Sequence, residues 1–305
     1  MKVLVLGATG LLGIEISRKL SENSWDLLLL GKSDLDLTDR AKIHKYLRKH
    51  KPDVIVLAAA MVGGLYANKL NPAKFFSENM QIYVNTLDAA ATNRTKNLIF
   101  ISSAVMYPEK TSTSLNESSI FSGPLNTDTQ YFGMAKLSGA KLIEAYRKEY
   151  DFKWTTLVFP NLYGIEDNLN LEKNHVIPSL IQRISKAKIN KDNFILIKGN
   201  GGTRREFLNA KDAANAVNLI LEKTFYERNI LNAGFGKSTS IEELATIIAR
   251  KLNYSGQIKF EINAAIRENR ILDSSILWKE GWRPTISLES GIAEVCIVWK
   301  KRGYI

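Results

Sequence analysis

The chain alternates short apolar runs with longer stretches in which apolar residues recur every three or four positions. Residues 2–6 (Lys-Val-Leu-Val-Leu) form an apolar run that suits a parallel strand buried on both faces. Runs at 26–30, 53–60, 97–103 and 154–160 predict further strands. Helical periodicity follows the first run to about Leu20 and marks two long helices at 75–93 and 132–150. Strand–helix alternation of this kind predicts an α/β protein with a doubly wound parallel sheet of about seven strands. Residues 1–165 form that domain, joined by roughly 205–235. Residues 166–305 form, in the main, a smaller α/β substrate domain. In that half a helix begins near Val176, 241–252 reads as an amphipathic helix, 258–262 as a short strand and 287–301 as a closing helix.

The first strand runs into Gly7-Ala8-Thr9-Gly10-Leu11-Leu12-Gly13 and then a helix. This is G-x-x-G-x-x-G in the strand-to-helix setting that a Rossmann-type dinucleotide site requires. The glycines let the backbone approach a pyrophosphate at the positive end of the helix. The second strand ends in Gly31-Lys32-Ser33, where an NAD enzyme usually carries a carboxylate for the ribose. Lys32 and Ser33 suit a 2′-phosphate instead, which favours NADP(H), with Asp34 close enough to keep NAD open. Asp36 and Asp39 are expected beside the adenine and at the start of the next helix. His44 and His50 read as solvated surface residues. Small residues at Ala58, Ala59 and Ala60 allow close passage of a cofactor. A serine at the carboxyl end of the 97–103 strand is placed to bind a substrate oxygen, and Ser103 is favoured over Ser102.

Composition narrows the setting. With 305 residues, 45% of them apolar and 24% charged, the chain reads as an ordinary globular protein with a large core. Its one cysteine, Cys296, excludes an internal disulfide and fits a reducing compartment. There is no signal-peptide pattern and no apolar run of ~18 residues, so a cytoplasmic protein without a membrane partner is expected. The net charge of +11 would suit nucleic acid or an anionic ligand, but the lysines are scattered rather than packed into one run. That pattern predicts a solvated basic surface and no nucleic-acid partner. No metal site is expected.

Several pieces together resemble the extended short-chain dehydrogenase/reductases and, within them, the GDP-L-fucose synthase family of epimerase/reductases. They are the glycine motif, Ala58-Ala59-Ala60-Met61-Val62-Gly63-Gly64-Leu65-Tyr66-Ala67-Asn68, Ser103 to Pro108, and Pro160-Asn161-Leu162-Tyr163-Gly164. To these add Asn174-His175-Val176-Ile177-Pro178, Arg205-Glu206-Phe207-Leu208, Asn232-Ala233-Gly234 and Gly281-Trp282. The resemblance runs nearly end to end and implies NADP(H), a GDP-sugar substrate and a homodimer through the two long helices. It places the cofactor against Gly7, Thr9, Gly10, Leu11, Leu12 and Gly13, against Lys32, Asp36 and Leu37, and against Ala58–60, Lys136, Pro160, Asn161 and Leu162. The substrate falls to Val62, Gly63, Ser103, Val105, Asn161, His175, Val176, Arg183, Lys198, Arg205 and Arg270, with Arg204 facing water and Arg267 a further candidate.

Carried over residue by residue, Ser103 holds the substrate carbonyl oxygen, Lys136 the nicotinamide ribose, and His175 matches the general acid of epimerisation. Arg205 contacts the diphosphate, for which a planar guanidinium is suited. Two positions depart from the pattern. The proton-donating tyrosine belongs four residues before Lys136, one helical turn away, and Phe132 stands there; Tyr131 is turned by roughly 100°. Either the helix is locally irregular or the acid is missing, by an introduced substitution or by nature. The family's epimerising base is a cysteine, and Val105 stands in its place. Valine cannot abstract a proton, so the expectation is an NADPH-dependent C4 ketoreductase of a GDP-linked 4-keto-6-deoxy sugar or heptose, impaired by Phe132. The rivals are a complete epimerase/reductase, an enzyme that recycles bound NAD, and a non-catalytic NADP-binding module.

Overall fold

The computed structural model describes residues 1–109, 113–170, 175–223, 228–261 and 269–305; Asn174 and Arg267 lie outside them. The first half contains β1 (Lys2–Leu6), α1 (Leu11–Leu20), β2 (Asp26–Leu30), α2 (Arg40–His50), β3 (Val54–Leu57), α3 (Leu65–Leu70) and α4 (Pro72–Thr92). It continues with β4 (Asn97–Ser103), a 3-10 turn at Ala104–Met106, β5 (Ser114–Leu115), α5 (Gln130–Tyr150), β6 (Lys153–Phe159) and β7 (Asn161–Tyr163). The second half contains α6 (Val176–Asn190), β8 (Phe194–Lys198), β9 (Arg204–Asn209), α7 (Ala210–Lys223), β10 (Ile230–Asn232) and β11 (Ser238–Ser240). After these come α8 (Ile241–Leu252), β12 (Gln257–Glu261), β13 (Ile271–Leu272), α9 (Ser275–Lys279) and α10 (Leu288–Lys301).

The central sheet is parallel, in the order β2-β1-β3-β4-β6-β10. It has six strands among the described residues, where about seven were expected. β3 spans Val54–Leu57, shorter than the 53–60 run, with the Ala58 amide still donating to the Leu6 carbonyl at 2.9 Å. The apolar character of the strands is used on both faces. Val3, Val5, Val54 and Val56 pack with α1 and α7, while Leu4, Leu6, Ile55 and Leu57 pack with α2, α4 and α5. β1 connects to β2 on one side, and β3 then lies on the other side of β1. The chain therefore reverses at the carboxyl ends of β1 and β3, and ligands of such sheets bind at that reversal.

A three-stranded sheet, β11-β9-β7, and a parallel pair, β12-β8, build the smaller unit. Its core joins α6, α8 and α10 through Ile181, Ile184, Leu244, Ile248, Ile292 and Trp299. Local signals fix several helix starts. Asp39 caps α2 by accepting from the Lys42 amide at 3.0 Å, and Ser240 and Glu243 form a reciprocal capping box on α8. Two surface expectations are corrected. His44 is half-buried, with its ring nitrogen 3.2 Å from Asp88, and His50 stacks on Tyr46 at 4.1 Å. Arg204 does not face water alone: it donates to the Ser238 carbonyl at 2.9 Å and pairs with Glu243 at 3.2 Å.

Candidate active site

The glycine motif forms a tight cradle. Gly7 has φ +91°, and its amide donates to the Leu30 carbonyl at 2.8 Å, which turns the chain between β1 and α1. A Cβ on Gly7 would meet the Ala59 amide nitrogen at 2.7 Å, and one on Gly13 would overlap the Gly7 carbonyl oxygen. α1 begins at Gly10 with no side-chain cap and no acidic residue in its first turn. Its positive end therefore faces the crevice uncompensated, as an anion site requires. Gly13→Ala is expected to lower stability by ~1–3 kcal/mol through overpacking, read by urea unfolding, with a matching loss of NADPH affinity. Leu11 lies at the cradle surface, while Leu12, Ala58 and Leu162 share the core beneath it.

At the end of β2, Thr9 lies against Gly31, and the Gly31 amide donates to Asp34 at 2.7 Å. Asp34 is thus engaged within the turn. Lys32 is exposed and pairs with Glu78 at 2.9 Å, beside a cavity of about 300 Å³ that Lys74, Ser77 and Gln81 also line. A 2′-phosphate there would compete with Glu78 for Lys32. Asp36 accepts from the Thr38 amide and hydroxyl, which hold its carboxyl below the usual range. The Leu37 side chain is core, and its carbonyl accepts from Asn85, so a cofactor could meet only its backbone amide.

The irregular-helix reading of α5 fails. The Gly133 amide donates to the Thr129 carbonyl at 2.8 Å, and Phe132, not Tyr131, shares a face with Lys136. Tyr131 is exposed, while Phe132 packs edge-on to Phe75 at 6.1 Å between centroids. Lys136 is buried; its Nζ donates to the Ile101 carbonyl at 2.6 Å and lies 4.9 Å from the ring centroids of Tyr83 and Phe100 and 5.8 Å from that of Phe132. Burial pushes its pKa down to about 7. Ser102 turns inward to the Met106 sulfur at 2.9 Å, whereas Ser103 is half-exposed at the end of β4. The following 3-10 turn packs on α5: a Cβ on Gly133 would lie 2.7 Å from the Val105 carbonyl oxygen. The Val105 backbone is thereby held against α5, one residue after Phe132. The turn is tied from behind by the Tyr107 hydroxyl, which donates to Asn232 at 2.7 Å.

The loop after β3 is held by two asparagines. Asn79 accepts from the Met61 amide at 2.9 Å and donates to its carbonyl at 3.0 Å, and Asn68 donates to Gly63 at 3.0 Å. Val62 is left exposed. On the smaller unit, His175 opens α6 and Val176 is its first residue. The His175 ring is solvent-exposed, yet the protein crowded around it lowers its pKa through desolvation. Asn161 is exposed and donates to the Glu206 carbonyl at 2.9 Å; Pro160 before it is buried. Arg205 donates to the Arg204 carbonyl at 2.8 Å. The neighbouring Glu206 carboxylate accepts from the Gly236 and Leu272 amides, both at 2.8 Å, which ties the half-buried Arg270 segment to β9. Arg183 instead donates to the Leu196 carbonyl of β8, and Lys198 is exposed at the end of that strand.

A model of the NAD dependent epimerase/dehydratase family matches residues 3–234. The chain belongs to this family. It is 34% identical over 294 residues to a GDP-L-fucose synthase of Sinorhizobium fredii (strain NBRC 101917 / NGR234), covering 96% of this chain and 93% of that one. A solved GDP-6-OMe-4-keto-L-xylo-heptose reductase from C. jejuni is similar, with a TM-score of 0.91 and 27% identity over 99% of this chain and 98% of that one. So is a GDP-mannoheptose C4 reductase from Campylobacter jejuni with NADP bound, with a TM-score of 0.87 and 28% identity over 98% of each chain.

As a member of the epimerase/dehydratase family, the chain fits a dinucleotide on its own geometry. The cradle has no room for side chains at Gly7 or Gly13, and an uncapped helix start faces it. The sequence reading missed Asn79, Tyr83 and Phe100. Asn79 and Tyr83 share one face of α4, and the Tyr83 hydroxyl donates to Asn79 at 3.2 Å. Their four-residue spacing was the available signal. What it could not give was the distant partner, Lys136 on α5.

Proposed function

We propose that the chain is an NADPH-dependent C4 ketoreductase of a GDP-linked 4-keto-6-deoxy sugar or heptose, without C3/C5 epimerase activity. The observation that carries this reading is the chemistry at two positions: Phe132 shares a face of α5 with Lys136, and Val105 lies in the turn that packs on Gly133, so neither offers a base or a proton donor. The GDP-sugar class rests on the similarity to GDP-L-fucose synthases and GDP-heptose reductases. A dimer through α4 and α5 would cover the exposed Val84, Met134 and Tyr150.

The bound cofactor supplies hydride to the sugar C4 carbon. Ser103 donates a hydrogen bond to the oxygen that gains charge, a position where a fixed donor acts more strongly than water. Lys136 would hold the ribose of the bound cofactor. Arg205 and Arg270 bind the diphosphate, and Asn161 orients the reacting ring. His175 positions the sugar, since without a base at position 105 no carbanion forms for it to protonate. No described helix is long and apolar enough to cross a membrane.

Consumption of NADPH against a GDP-4-keto-6-deoxy sugar, followed at 340 nm with the Phe132→Tyr form, tests the reading. One NADPH oxidised per sugar reduced is expected. Conversion of the sugar without net NADPH loss would assign the chain to the enzymes that recycle bound NAD.

A further inference from the structure

With Phe132 where the family's tyrosine belongs, the C4 oxygen of the proposed substrate lacks that proton donor, and the surroundings of Phe132 limit what can replace it. Tyr131 points to solvent from another face of α5. The Tyr107 hydroxyl is buried and committed to Asn232, and burial raises its pKa. His175 stands at the start of α6, with a lowered pKa. Lys136 alone among these lies under the Phe132 ring. Among the described residues its Nζ has one acceptor, the Ile101 carbonyl, and three aromatic rings around it. An ammonium has three N–H groups, so the Ile101 carbonyl leaves two for other acceptors.

We propose that Lys136 supplies the proton for the C4 oxygen in this chain, through a water that fills the place of the missing phenolic oxygen between Nζ and Ser103. This rests on the reductase reading. Hydride addition turns the C4 carbonyl into an alkoxide. An N–H bond of the Lys136 ammonium breaks as an O–H bond of the relaying water forms, and that water passes its own proton to the alkoxide. The neutral amine regains a proton from solvent before the next turnover. Two opposing effects act on the ammonium there, and loss of water outweighs the aromatic faces. The aromatic faces favour the ammonium, and loss of water disfavours it. Tyr83 on α4 is the titratable group that faces Nζ; its hydroxyl is turned to Asn79 and its pKa is raised by burial. Among the described residues, β4 faces Nζ with Phe100 and the Ile101 carbonyl, and α5 with Phe132. Desolvation is the sole cause of the Lys136 shift, with no charged neighbour contributing.

Two readouts test the assignment. The first is an Nζ titration by NMR on ¹³C-lysine-labelled protein without ligands, with Lys136→Met to assign the resonance. The second is the single-turnover rate at saturating NADPH and GDP-4-keto-6-deoxy sugar between pH 6 and 9. We expect the rate of this chain to fall about tenfold per pH unit above the NMR midpoint. In the Phe132→Tyr form the hydroxyl takes over, and that fall should be lost. Lys136→Met should lower the rate of this chain by ~10²-fold, beyond any loss of NADPH affinity measured by fluorescence, while His175→Asn should leave the midpoint unmoved. An Nζ that stays protonated through pH 9, or a rate that ignores pH while Phe132→Tyr is active, overturns the proposal and leaves the reductase reading intact. If Phe132→Tyr is also inactive on every nucleotide sugar, the reductase reading itself has failed.

Discussion

Phe132→Tyr raises NADPH-dependent turnover by ~10²-fold or more, the usual contribution of a positioned acid. The side chain is half-exposed at the first turn of α5 and already shares the helix face of Lys136, so one oxygen is added without moving a backbone. The buried Lys136 amine, 5.8 Å from the Phe132 ring centroid, would stabilise the phenolate formed on proton release. The gain should appear in the single-turnover rate, with the dissociation constants of NADPH and sugar changed little. A gain confined to KM would mean that the hydroxyl binds substrate without donating a proton.

Ser103→Ala, made in the Phe132→Tyr form, lowers the rate of reduction by ~10²–10³-fold, the usual effect of deleting one donor to a developing oxyanion. The neighbouring serine cannot substitute. Ser102 is buried, and its hydroxyl is turned to Met106 on the other side of the strand. Alternation along β4 fixes that choice, because successive side chains point to opposite faces. Single-turnover rates with NADPH and sugar both saturating measure it. A rate within threefold of the parent would remove Ser103 from the chemistry. The same loss in Ser102→Ala, with folding intact, would show that the register of β4 relative to the substrate had been misjudged.

Much of the fold was legible because its signals are local. A strand buried on both faces reads as an unbroken apolar run, and β1 and β4 have the expected bounds; so has β2, an apolar run at the partly exposed edge of the sheet. The glycine spacing was equally direct, since the close approach of Gly7 to Ala59 and of Gly13 to Gly7 demands residues without a Cβ. The number of sheet strands was less legible, because short runs in the second half joined small separate sheets through long-range pairing, as β7 does with β9. Individual site residues show the same division. Phe132 and Lys136 share a face by helical spacing alone. The aromatic box needs Tyr83 from α4 and Phe100 from β4, and no local pattern announces that meeting. His44 was misread for the same reason, since its partner Asp88 lies 44 positions away.

The most direct measurement of the central claim is reduction of a GDP-4-keto-6-deoxy sugar by NADPH in D₂O, run with the Phe132→Tyr form and analysed by product NMR. A reduced product that carries no deuterium at C3 or C5 is the expected result, since Val105 provides no base. Deuterium at either carbon would mean that another group abstracts those protons, and the chain would then be a complete epimerase/reductase.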